Sequence, residues 1–164
     1  MTFWHDRFAW CVRLRGMCLG VCLGAALSGC SMLGMSGEKA AWSTLTLAAS
    51  NDANNNSPVA VDVVFVTDDA MLARVAELPG AKWFASRATL AAAFPKSIRY
   101  SSWEVVPGQR LEIPGDALSG PRVKAAFVFA SYPDPAAHCV RIETFSGRLV
   151  VQLDDHAFTV STAQ

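Results

Sequence analysis

The sequence predicts a mainly β fold, a two-sheet sandwich with a short helical insertion after the second strand. Three observations point to it. Short apolar or alternating segments recur from residue 44 to 161, most of them closed by Gly, Pro, Asn, Asp or Ser. Helical periodicity is confined to one stretch, 68–94. The folded part holds a single cysteine, Cys139, so packing rather than disulfide staples must hold it together.

The elements follow in order. Thr44-Leu45-Thr46-Leu47 alternates polar and apolar, as a half-buried strand does. Residues 51–58 (NDANNNSP) have no apolar anchor and combine Asn, Asp, Ser and Pro, so they predict an exposed loop with left-handed or side-chain-closed turns. Residues 59–66 (VAVDVVFV) are the clearest strand. Val59, Val61, Val63 and Phe65 share one face, and Ala60, Asp62, Val64 and Val66 the other, which suits a central position. The period then switches. Asp68 and Asp69 put acids at a helix start, Met71, Leu72, Val75 and Leu78 have helical spacing, and Pro79-Gly80 stops it. A second helix is expected over 81–94, where Trp83, Arg87, Leu90 and Phe94 fall on one face before Pro95. Strand character returns over 98–106 and 110–113, joined by the hairpin-type turn Pro107-Gly108-Gln109. It continues over 122–131, 139–145, 148–153 and 156–161, with Ser146-Gly147 and Asp154-Asp155 as turns. Trp83 and Trp103 are expected in the core, and Cys139 as a small buried apolar residue. About eight strands and two helices result, an arrangement of sandwich type.

The N-terminus reads differently. Arg7, Arg13 and Arg15 precede the apolar run MCLGVCLGAAL, and Leu27-Ser28-Gly29-Cys30 follows. That is the order of an export signal. The tetrapeptide resembles the bacterial lipobox, whose cysteine sulfur takes the diacylglycerol and whose preceding small residues thread the peptidase. The competing reading, a membrane-spanning helix with Gly16, Gly20 and Gly24 as a dimerising face, needs about 20 apolar residues. Only 16–27 run without a polar interruption. The expected division is therefore 1–29 signal peptide, 30–41 lipidated tether and 42–164 sandwich domain. Ser31, by the enteric sorting rule, directs such a lipoprotein to the outer membrane. Of 14 basic and 14 acidic residues in the chain, removal of Arg7, Arg13, Arg15 and Asp6 leaves 11 and 13. That near-neutral balance gives no footprint for nucleic acid or an anionic lipid surface.

No set of residues has the form of an active site. His138 and Cys139 are adjacent, but neighbours on a strand point to opposite faces. Asp154, Asp155 and His156 could ligate a metal, yet they sit in one turn with no second cluster to complete a shell. No catalysis, metal or cofactor is expected. The 51–58 loop is either a solubilising turn or a recognition loop.

The order of these features resembles the outer-membrane lipoprotein family of the type VI secretion system, the TssJ (SciN) family. The resemblance rests on the lipobox at Leu27-Ser28-Gly29-Cys30, the Thr44–Leu47 alternation, a polar loop closing on Ser57-Pro58-Val59, the strand over 61–66, the aromatic pair Trp83-Phe84 and the segment Val105-Val106-Pro107-Gly108-Gln109. It implies a transthyretin-like sandwich in the periplasm, lipidated at Cys30 and held at the outer membrane. It also implies a structural, non-enzymatic role: gripping the periplasmic part of the inner-membrane partner TssM. The loop between the first two strands makes that contact in the family, which here means Asn51, Asp52, Ala53, Asn54, Asn55, Asn56 and Ser57. The strand ends Val64-Phe65-Val66-Thr67 where the family pattern has a tyrosine, and the loop is short and Asn-rich. The alternative expectation, from another class, is a periplasmic lipoprotein that binds a small ligand or inhibits an enzyme, which would require an apolar pocket away from that loop.

Overall fold

The computed structural model describes residues 37–164 apart from 119, 121 and 135–137. The export signal, the lipobox, Cys30 and most of the expected tether lie outside the described residues. Residues 36–164 form a compact unit with its own cores.

Ten strands are described: β1 Glu38–Lys39, β2 Ala41–Ala49, β3 Val59–Val66, β4 Ile98–Val105, β5 Arg110–Pro114, β6 Arg122–Val123, β7 Ala125–Ala130, β8 Cys139–Ile142, β9 Ser146–Leu153 and β10 Phe158–Ala163. They form two four-stranded sheets, β10-β9-β2-β5 and β4-β3-β7-β8, and a small β1-β6 pair. Helices α1, Asp69–Ala76, and α2, Gly80–Ala93, follow β3. The sandwich expected from the strand pattern is thus the fold, with the helices where the period switched. Asp68 caps α1 by accepting a 2.9 Å hydrogen bond from the Met71 amide. Its carboxyl is held below the usual range, first by the Ser97 side chain and then by that amide.

Three boundaries differ from the sequence expectation. The tether reading of 30–41 runs too far: Glu38 and Lys39 pair with Val123 and Arg122, Ala40 is buried, and Ala41 opens β2. Small, polar residues hid that pairing, because a two-residue strand has no period to read. The turn at 107–109 does not close a hairpin within one sheet. β4 pairs with β3 and β5 with β2, so the turn carries the chain across the sandwich. Likewise β8 belongs to one sheet and β9 to the other; Ser146 and Gly147 begin β9, where Gly147 has φ 80° and a Cβ would overlap the Ala163 carbonyl. Turn residues tell that the chain bends, not which sheet it bends into.

β3 supplies both cores. Val59, Val61, Val63 and Phe65 pack between the sheets with Leu45, Leu47, Val128, Leu149, Val151 and Leu153. Val64 and Val66 pack with Met71, Val75, Trp83, Leu90, Phe127 and Phe129 beneath the helices. Asp62 lies on that second face and is fully buried. It accepts from Trp83 Nε1 at 2.8 Å, from Ser102 Oγ at 2.6 Å, and from Arg87 at 2.6 and 2.7 Å. Trp83 stacks on Phe129 with centroids 5.0 Å apart, so α2 is fixed to the sheet by packing and by a satisfied buried carboxylate together.

Candidate partner-binding face

β2 runs from the β1-β6 clamp to Ser50, and β9 lies parallel to it. The segments 50–58, 106–109 and 154–157 therefore meet at the same end of the sandwich, opposite the end where the chain passes from β1 into β2. Backbone bonds tie them together. Ser50 N donates to Leu153 O at 2.8 Å, Gly108 N to Ser50 O at 2.9 Å, Ala49 N to Gln109 O at 2.9 Å, and Asn54 N to Asp154 O at 3.2 Å. Asn55 N donates to Asp155 Oδ1 at 3.0 Å, while His156 Nε2 sits 3.0 Å from Asp155 Oδ2.

The Asn-rich composition has a backbone cause. Ala53–Asn56 form a single turn in which Asn54, Asn55 and Asn56 have φ of 51°, 53° and 59°. Left-handed backbone costs most L residues about 1–2 kcal/mol, and Asn tolerates it best. Asn54 Nδ2 donates to Pro58 O at 2.9 Å, and Ser57 N reaches the carbonyls of Ala53 and Asn54 at 3.2 and 3.0 Å. Gly108 has φ 75°, and a Cβ there would come within 2.8 Å of Asn51 Oδ1. The loop is thus a shaped turn locked to its neighbours.

This alters the expected contact set. Ala53 is 0% and Asn54 7% exposed, so both point inward and hold the turn. Asn51, Asp52, Asn55, Asn56 and Ser57 face outward. Asp52 stays charged: the Ser50 side chain, then its own backbone, then nearby His156 hold its carboxyl below the ordinary value against weak desolvation. The sequence reading missed Val106, 47% exposed beside this loop. Its signal was an apolar residue immediately before Pro107-Gly108, where a turn leaves side chains no core to enter.

The other candidates resolve simply. His138 precedes β8 and its ring lies 4.7 Å from that of Tyr132, so it is not paired with Cys139. Cys139 is half-buried and burial pushes its thiol up to about 11, the opposite of an activated nucleophile. Among the described residues no three His, Cys, Asp or Glu are grouped to hold a metal ion. A cleft of about 500 Å³ lies beside β8, lined by Leu78, Pro79, Phe127 and Cys139 with Glu77 and Arg141. It is open, and it lacks the several convergent polar groups that fix a small ligand. Among the described residues no helix is long and apolar enough to cross a membrane.

Fold and end-face together define a small two-sheet sandwich with one helical layer and one stiffened, polar loop face. No protein-family model matches the chain, and no curated protein matches it in sequence. Among solved structures it is similar to the lipoprotein TssJ of the type VI secretion system of Pseudomonas aeruginosa, with 14% identity, a TM-score of 0.55, and cover of 78% of this chain and 98% of that one. It is similar to Lip of Serratia marcescens, a membrane-bound component of that system, at 12% identity and a TM-score of 0.51, covering 73% and 96%. A chain of a type VI membrane complex is similar at 14% identity and a TM-score of 0.55, covering 72% and 95%. At such identities the likeness is one of fold, and it is the fold that the order of sequence motifs implied.

Proposed function

We propose that this chain is a lipoprotein of a type VI secretion membrane complex, acylated at Cys30, held at the outer membrane facing the periplasm, and acting by structure rather than catalysis. Its sandwich grips the periplasmic part of a TssM-like inner-membrane partner through the exposed residues of the 51–57 loop, with no cofactor or small substrate. The observation that carries this is the pairing of a lipobox, Leu27-Ser28-Gly29-Cys30, with a fold that spans 95% or more of the similar secretion-system chains. Two features support it further. The loop face lies at the end of β2 opposite the one at which β1 leads into it. The loop is also preset, so binding would spend little energy on ordering it.

Capture of the folded domain by the partner's periplasmic part tests the partner, and absence of any binding by the wild-type domain overturns it. Within that assay Asp52→Arg, which alters an outward residue without positive φ, should weaken binding about tenfold while the domain still folds, losing only what the Ser50 contact to the carboxylate contributes. Labelled palmitate tests the anchor. Wild type should incorporate it and Cys30→Ser should not, with the fold unaltered; label on the variant would remove Cys30 from its role.

A further inference from the structure

β2 leads directly from the β1-β6 clamp to the loop face, nine residues from Ala41 to Ala49. In the function proposed above, the membrane pulls on the chain before this strand and the partner pulls after it. We propose that β2 is the line along which tension between anchor and partner passes, and that the fold is arranged so that this tension does not unfold it. The proposal takes from that reading only where the two pulls act; the mechanics belong to the chain itself.

A force favours unfolding by the work it does over the length gained. A nine-residue strand already spans about 30 Å, against about 32 Å fully stretched, so pulling on its two ends gains only some 2 Å. The strand is also hard to slide. It is the one strand of its sheet flanked by β9 on one side, through eight register pairs, and β5 on the other, through five. Its side chains are plugged into the core: Trp42, Leu45 and Leu47 are buried. Trp42 Nε1 donates to Thr144 O at 2.8 Å, and Ala41 N to Phe145 O at 2.7 Å, pinning the leading end. The register shift between Trp42 and Thr44 would have to be erased before the strand could slip.

The C-terminal strand offers the opposite geometry in the same molecule. Among the described residues β10 is a sheet edge paired only with β9, and Ala163 stands opposite Arg148, level with Thr44. Its C-terminal end therefore lies at the same end of the sandwich as the start of β2. Pulling those two ends apart opens β10 one pair at a time, and every opened pair lengthens the chain.

Force spectroscopy on single molecules of residues 30–164, which contain the compact unit 36–164 with both cores, separates the two cases. The Cys30 thiol serves as one handle in a Cys139→Ala background. The second handle is Asp52→Cys, or a cysteine added after Gln164. Pulling from Cys30 to position 52 should stretch the tether and show no unfolding step at forces several-fold above those that unfold the domain when pulled from Cys30 to the C-terminus. A step at equal or lower force overturns the proposal. Should Asp52→Cys fold poorly, Asn51→Cys places the handle one residue earlier and gives the same comparison. Partner capture by the wild-type protein is read separately. Lost binding with the force contrast intact would overturn the function alone, and intact binding without the contrast would overturn the load line alone.

Discussion

On one face of β3, Val59, Val61, Val63 and Phe65 meet the opposite sheet through apolar contact alone. On the other, Val64 and Val66 meet α1 and α2 with a buried aspartate between them. Two adjoining cores thus answer the same demand, burial of a strand face, by different means. Around β3 the inter-sheet core needs only volume and shape, its polar anchors at Trp42 and Tyr132 lying at the rim of the sheets. The helix-side core needs volume and the simultaneous presence of three donors around Asp62. The first should degrade gradually under substitution, and the second should fail when any one donor is missing.

The largest effects come from truncating the central aromatic of each core. Phe65→Ala removes a fully buried ring and should cost about 3–5 kcal/mol of unfolding free energy. Trp83→Ala removes a ring of larger volume and also strips Asp62 of its 2.8 Å donor, so it should cost more than Phe65→Ala in the same denaturant titration. The informative control is Trp83→Phe. It keeps most of the stacking on Phe129 and loses only the donor, so it should still cost about 1–3 kcal/mol. If Trp83→Phe were neutral, the helix-side core would be held by packing alone and the contrast would disappear.

The two cores also differ in how far the sequence exposes them. The alternation Val59, Val61, Val63, Phe65 announces the inter-sheet core, because a two-residue period has one structural meaning. Asp62 breaks the second face visibly, but its partners lie on other elements and nothing in the strand names them. One clue stands in α2: Arg87 occurs four residues after Trp83, on the apolar face with Leu90. A cation within an apolar helical stripe implies a buried anion opposite, and Asp62 is the acid in the neighbouring strand. The loop face was half legible. Three consecutive asparagines signal tolerance of positive φ, which they adopt. That Ala53 and Asn54 turn inward depends on the 106–109 and 154–157 segments, which the sequence places far away. Phe94 illustrates the reverse error: its spacing puts it on the buried stripe, yet it follows the last helical residue and is exposed.

A smaller effect sharpens the electrostatic half of the comparison. Arg87 has 28% of its side chain exposed, whereas Asp62 has none. Arg87→Met keeps much of the stem packing and leaves the carboxylate with only Trp83 and Ser102, so it should cost about 3 kcal/mol. Adding Asp62→Asn removes the unpaired charge while retaining an acceptor for the indole. The double variant should therefore recover a large part of that loss, although each change is destabilising by itself. Strict additivity of the two would mean that the ion pair is an incidental contact of two independently packed side chains.

The last effect is an alkaline pH dependence, with one group of raised pKa on each side of β3. Burial pushes the Cys139 thiol, on the helix side, from 9.0 up to about 11. Burial, and then the nearby Asp154 carboxylate, push the Tyr132 phenol, between the sheets, from 10.0 up to about 12. In both cases the folded chain holds its proton where the unfolded chain has released it. Stability from each is therefore fully present below its unfolded value and is lost as pH rises through the folded one. The unfolding free energy should fall across pH 9–11 through Cys139 and across pH 10–12 through Tyr132. Cys139→Ala should move the onset of that fall from near 9 to near 10 and leave the upper part in place. Tyr132→Phe should flatten the upper part instead. It should also cost about 1 kcal/mol at neutral pH, because the hydroxyl reaches the Ala157 carbonyl at 2.8 Å and the Asp154 carbonyl at 3.1 Å. Titrations of wild type and the two variants by equilibrium denaturation decide it. An alkaline fall of the same onset and depth in all three would show that neither core feels its buried acid, and the assignment of one such group to each side of β3 would have to be abandoned.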